Sequence, residues 1–131
     1  MDEKVIKFYR NLLRTNFEHA GSIENSSIFL DTTNEVNKSG LCGNMGEFMQ
    51  LYVKVSNDTI EDIKYNCICD PTANVAVEIL CSLIKGKTLD EAADLSEKEF
   101  SRYLGTEGPE LQKKSRGLLD LLNKGITRFR K

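Results

Sequence analysis

Hydrophobic and polar positions follow two different periods along this chain. Near its start, Val5, Ile6, Tyr9, Leu12 and Leu13 recur at a spacing close to 3.6, with Lys4, Lys7 and Arg10 between them. That spacing predicts a short amphipathic helix. Thr15 to Ser27 is polar, holds Gly21 and several Asn and Ser, and reads as a connector. Ser27-Ile28-Phe29-Leu30 reads as the opening of a strand, followed by the weakly patterned Asp31 to Ser39. Gly40-Leu41-Cys42-Gly43-Asn44 is a turn with a cysteine between two glycines. From Glu47 to Val55 the period becomes two, with Leu51, Val53 and Val55 alternating with Tyr52 and Lys54. Ser56 to Thr59 is a turn cluster and Ile60 to Tyr65 resumes as a strand, so the pair predicts a hairpin with a four-residue loop.

After Asn66-Cys67-Ile68-Cys69-Asp70-Pro71 the helical period returns. Asp70 suits an N-cap, because its side chain can accept from a free backbone N–H of the first turn. Pro71 suits the first helical position, where a missing N–H costs nothing. Thr72 to Lys85 is apolar nearly all round, which predicts a helix buried on most faces and ended by Gly86. Thr88 with Glu91, and Ser96 with Glu99, have capping-box spacing and predict two further short helices. Pro109 opens a last helix to about Phe129, with Leu111, Leu118, Leu122, Ile126 and Phe129 on one face. Gly117 and Gly125 weaken that helix by about 1 kcal/mol each relative to Ala. A helix, then strands, then a run of helices predicts an α+β fold, an antiparallel sheet covered by helices.

Composition narrows the class. The 131 residues suffice for one domain, taken here as 1–131. At 40% hydrophobic and 29% charged the chain reads as globular. A net charge of -2 gives no electrostatic footprint for nucleic acid or an anionic membrane surface. Neither a secretory signal pattern nor a bilayer-length apolar run is visible, so a cytoplasmic, thiol-reducing setting is expected. There, four cysteines read as thiols or metal ligands before disulfides.

A single histidine excludes any multi-histidine metal site. It is His19, in a polar connector, and reads as a surface residue. Cys81 lies mid-helix between Leu80 and Leu83 and reads as core packing. Cys42 and the pair Cys67 and Cys69 are the remaining candidates. Cys67 and Cys69 precede a helix N-terminus, where thiolates are stabilised, and share one parity if the strand continues through them. Lys113, Lys114 and Arg116 read as a solvated basic run.

Several segments together resemble the IscU/NifU N-terminal-like iron–sulfur cluster scaffold family. They are Ser39-Gly40-Leu41-Cys42-Gly43-Asn44, the Phe48 to Val55 strand, Ile60-Glu61-Asp62-Ile63-Lys64-Tyr65, and Ile84-Lys85-Gly86-Lys87-Thr88-Leu89-Asp90-Glu91-Ala92. Val5 to Gly21, with Ile23-Glu24-Asn25, is similar to the family's N-terminal segment. The resemblance implies a three-stranded antiparallel sheet with about five helices. It also implies a non-enzymatic role: a nascent [2Fe–2S] cluster, or Zn²⁺, held on three cysteines and an aspartate. Sulfur would come from a cysteine desulfurase, and the cluster would pass to iron–sulfur acceptor proteins. Self-association as a homo-oligomer stays open.

Carried over residue by residue, Cys42 matches the first family cysteine and Asn44 stands where the family has an aspartate. If that aspartate makes clusters labile, Asn44 slows release. Asp70 falls at the second family cysteine, with Cys69 one residue early. The third falls within Lys113 to Ser115, none of which is Cys. The family's Leu-Pro-Pro-Val-Lys chaperone motif is not recognisable around Gly105 to Leu111. Three readings follow. The site is rebuilt on Cys42, Cys67, Cys69 and Asp70 and still binds a cluster. Or the rebuilt site takes Zn²⁺, which accepts thiolate and carboxylate tetrahedrally. Or the fold persists as a metal-free interaction module. From the last helix, Lys113 or Lys114 would approach the same spot.

Overall fold

The computed structural model describes residues 2–32 and 47–130. The Cys42 turn, Asn44 and most of the Asp31–Ser39 stretch lie outside the described residues. The element order is α1 (Glu3–Arg14), β1 (Ile28–Asp31), β2 (Phe48–Ser56), β3 (Thr59–Ile68), α2 (Pro71–Ile84), α3 (Leu89–Ala93), α4 (Glu97–Leu104) and α5 (Pro109–Arg130). The three strands form one antiparallel sheet in the order β1-β2-β3. This is the predicted α+β architecture, three strands and five helices.

The hairpin is tighter than its sequence suggests. Ser56 pairs with Thr59, so only Asn57 and Asp58 remain in the loop. Both have positive φ, 52° and 63°. That is the left-handed pair a two-residue hairpin turn needs, and Asn and Asp tolerate it better than most residues. The ladder also runs past Tyr65, with Cys67 opposite Met49 and Ile68 opposite Phe48.

The sheet's inner face presents Ile28, Leu30, Met49, Leu51, Val53, Ile63 and Tyr65, all buried. Helices α2 and α5 pack on this side and against each other. Helix α2 is buried nearly all round, as its composition requires, and Cys81 lies in its core-facing interior. Burial pushes the Cys81 thiol well above its ordinary value, which keeps it neutral and inert. On α5, Leu111, Leu118, Leu122 and Ile126 are buried as predicted, whereas Phe129 is substantially exposed where the helix leaves the sheet. Gly125 is a requirement of packing. A Cβ there would lie 2.8 Å from Ile28 Cγ2 and 2.9 Å from Leu30 Cδ1, so α5 can approach β1 only without a side chain. Both capping boxes form, Thr88 with Glu91 and Ser96 with Glu99.

Two polar readings change. His19 is buried, 8% exposed. Residues Asn16 and Phe17 turn through left-handed backbone, and the connector folds back onto β3 and α2. His19 then donates its backbone N–H to Glu78, 3.1 Å from Oε2, and its carbonyl accepts from the Tyr65 N–H at 3.1 Å. Its Nε2 lies 3.3 Å from Ser82 Oγ. The basic run also divides, since Lys113 and Arg116 are exposed but Lys114 is buried.

Candidate functional site at the junction of β3 and α2

The junction is built by a change of period within five residues. Strand β3 ends at Ile68, Cys69 and Asp70 bridge, and Pro71 starts α2. Cys67 follows Ile63 and Tyr65 on the inner parity of the strand, is half-buried and packs against the core. Cys69 keeps that parity one step beyond the strand and is also half-buried. Its thiol donates to the Phe48 carbonyl at 3.3 Å, which closes the end of the β2–β3 ladder. Strand β3 itself ends at Ile68, one residue short of Cys69, so the ladder carries Cys67 and not Cys69.

Asp70 does two things with its two carboxylate oxygens. Oδ1 accepts the Ala73 N–H at 2.8 Å, the expected N-cap. Oδ2 lies 3.0 Å from Lys114 Nζ. The Lys114 side chain is 8% exposed and that of Asp70 34%. The last helix thus reaches the junction with Lys114, not Lys113. A buried ammonium is held only where a counter-charge offsets its desolvation, and Asp70 supplies one. The burial of Lys114 has a sequence signal. It stands three residues after Leu111 and four before Leu118, on the apolar stripe of α5. Its neighbour Ser115 is fully buried and bonds back to the Leu111 carbonyl at 2.7 Å.

Among the described residues, no three His, Cys, Asp or Glu side chains come together as a metal-binding group. Cys67, Cys69 and Asp70 share the junction without forming a three-donor set by themselves. Cys42, the fourth expected donor, lies outside the described residues. Asn74, one turn into α2, accepts from Tyr65 Oη at 2.8 Å and ties the helix to the strand.

A second buried polar cluster lies farther along α2. It is Glu78, His19 and Tyr65, with the exposed Ser82 at its edge, and the sequence reading passed over Glu78. Its signal was a charge within a helix that is otherwise apolar. Burial pushes the Glu78 carboxyl up, opposed by the hydrogen bond from the His19 backbone N–H and by the nearby Tyr65 hydroxyl. Burial likewise pushes the Tyr65 phenol up, and the adjacent Glu78 reinforces it.

The comparisons with known proteins fall on the same fold and the same elements. The NifU-like N terminal domain family model matches residues 1–131. The chain belongs to this family. Iron–sulfur cluster assembly scaffold proteins IscU 1 and IscU 2 of Archaeoglobus fulgidus are each 32% identical to it over 68 residues, half of this chain and 44% of theirs. The iron–sulfur cluster assembly protein IscU of Plasmodium falciparum is 26% identical over 108 residues, 79% of this chain and 67% of that one. The aligned part thus spans less than half the length of the two archaeal relatives. Among solved structures, the N-terminal part of a NifU-like protein from Brucella abortus matches with TM-score 0.63 at 15% identity. That match covers 98% of this chain and 93% of the other. A putative scaffold protein for the SUF system from Fervidobacterium islandicum matches with TM-score 0.61 at 18% identity, covering 96% of each chain. At such identities the structural likeness speaks for the fold. No helix among the described residues is long and apolar enough to cross a membrane.

Proposed function

We propose that this protein is a scaffold or carrier in iron–sulfur cluster assembly, with its cargo site at the β3–α2 junction. The observation that carries the reading is the placement of two half-buried thiols, Cys67 and Cys69, beside Asp70 at a helix N-terminus in a chain of this family. In this reading Cys42 joins Cys67 and Cys69 as thiolate ligands of a transient [2Fe–2S] cluster. Asp70 keeps its capping role and serves as an auxiliary oxygen donor. Thiolates dominate iron–sulfur ligation, so a set with one oxygen gives a more readily released cluster. Sulfur would arrive from a cysteine desulfurase as the terminal atom of a persulfide. A thiolate here attacks that atom, the S–S bond to the donor breaks, and the donor leaves as a thiolate. The protein acts as a platform, not a catalyst, and hands the cluster to acceptor proteins.

One observation favours a second reading, a metal-free module of the same fold. The resemblance puts family ligands at Asp70 and within Lys113–Ser115, and here Asp70 and Lys114 are bonded to each other. Anaerobic reconstitution with iron and sulfide separates the two. The scaffold reading expects a visible-range chromophore that is lost in Cys42→Ser and in Cys69→Ser. A colourless wild-type chain sinks it, and zinc analysis of that chain then separates a Zn²⁺ site from the metal-free module.

A further inference from the structure

We infer that Lys114 selects the cargo of the β3–α2 junction, favouring an anionic, sulfur-bearing group over a bare divalent cation. The inference rests on the reading of this junction as the cargo site and names the residue that sets its preference. The Lys114 ammonium lies 3.0 Å from Asp70 Oδ2, and the residue before Asp70 is Cys69. With 8% of its side chain exposed, this ammonium is poorly screened by water or salt. A second positive source points the same way. Helix α2 directs the positive end of its dipole at the same junction, and Ala73 N–H already donates to Asp70 Oδ1.

The chemistry of the cargo decides which sign is welcome. A bare Zn²⁺ ion brings two positive charges toward the ammonium. A persulfide anion carries negative charge and gains from the same ammonium. A charge within about 4–6 Å shifts the binding of a proton by roughly one to three pKa units, a factor of at least about ten. A dication should feel no less.

Lys114 could also be only a strut that fills the space between α5 and the junction, and charge-conserving and charge-removing variants separate these roles. Metal-free, reduced protein is titrated anaerobically with Zn²⁺ in competition with a chromophoric chelator, with melting temperature recorded for each variant. Lys114→Met should bind Zn²⁺ at least about tenfold more tightly than wild type. Lys114→Arg, which keeps the charge, should stay within about threefold of wild type on the same grounds. Should Lys114→Met fail to fold, Asp70→Asn/Lys114→Met is compared with Asp70→Asn, a pair that differs only in the ammonium. The double variant should again bind Zn²⁺ more tightly. Equal Zn²⁺ affinity with and without the ammonium overturns the inference, whatever happens to the melting temperature. A wild-type chain that forms no chromophore with iron and sulfide removes the scaffold reading, while the Zn²⁺ comparison still decides the role of Lys114.

Discussion

Asp70, the N-cap of α2, and Glu78, buried within that helix, lie eight residues apart and meet different partners. At about 1.5 Å per residue they are some 12 Å apart. Asp70, at the helix start, stays charged company with Lys114 and caps the helix with its other oxygen. Glu78, two turns on, faces the His19 backbone N–H, the Tyr65 hydroxyl and the Glu18 charge, and burial pushes its carboxyl toward the neutral form. One carboxylate is matched by a counter-ion. The other is matched by the His19 backbone N–H, and burial shifts it toward the neutral form. The difference follows position. A helix N-terminus and an incoming lysine favour an anion, whereas the middle of a buried helix offers only dipoles.

The largest effect expected from breaking this contrast comes from Asp70→Ala. It takes one counter-charge from the buried Lys114 ammonium and removes the cap, at a cost of about 2–4 kcal/mol for the two together. A Ser at the same position restores the cap alone and should recover only about 1 kcal/mol. Urea denaturation midpoints of the two variants measure both parts.

Next comes Glu78→Gln, where the sign is the informative quantity. Folding raises the Glu78 carboxyl above its ordinary value, so the native state holds a proton that the unfolded chain releases. The stability linked to this group is complete below the unfolded value near 4.5 and is lost as pH rises through the native value. Gln keeps an acceptor for the His19 N–H without a titrating proton. The variant should therefore hold its melting temperature better than wild type as pH is raised from about 5 to 8. A wild-type curve no steeper than that of Glu78→Gln would count against a strained carboxyl.

The smallest effect belongs to an exposed pair of the same chemistry, Lys85 with Asp62 at 3.3 Å, side chains 50% and 34% exposed. Lys85→Ala should change stability by no more than about 0.5 kcal/mol, because water already screens both charges. Thermal or urea unfolding at low and moderate salt is a sufficient measure. A loss comparable with Asp70→Ala would mean that burial is not what distinguishes the two ion pairs.

Much of the fold was legible because its signals are local. The Asp70-Pro71 helix start, both capping boxes, the alternation of β2 and the apolar circumference of α2 each depend on neighbours within a few residues. The resemblance to the family rested partly on such segments, the β2 strand and the Thr88–Glu91 box among them, and partly on the Cys42 turn. His19 was misjudged because a polar connector gives no hint of where it folds, and two left-handed residues turn it onto α2. Lys114 was grouped with its charged neighbours, although its phase on α5 differs from that of Lys113 by a third of a turn. The candidate site was half legible. The cap at Asp70 came from spacing, but the ion pair that joins two sequence-distant positions did not.

By itself, then, the order of residues determined the elements, the α+β class, the family and the separation of Cys81 from the other thiols. These depend on periodicity, capping and composition, which are properties of short stretches of chain. Only the tertiary structure decided which charge meets which. A carboxylate at position 70 and an ammonium at position 114 interact because α5 crosses the start of α2, and the strength of that contact depends on the water excluded around it. Burial is a collective property of the packed elements, and it alone turns one lysine of a basic run into a fixed charge beside Asp70.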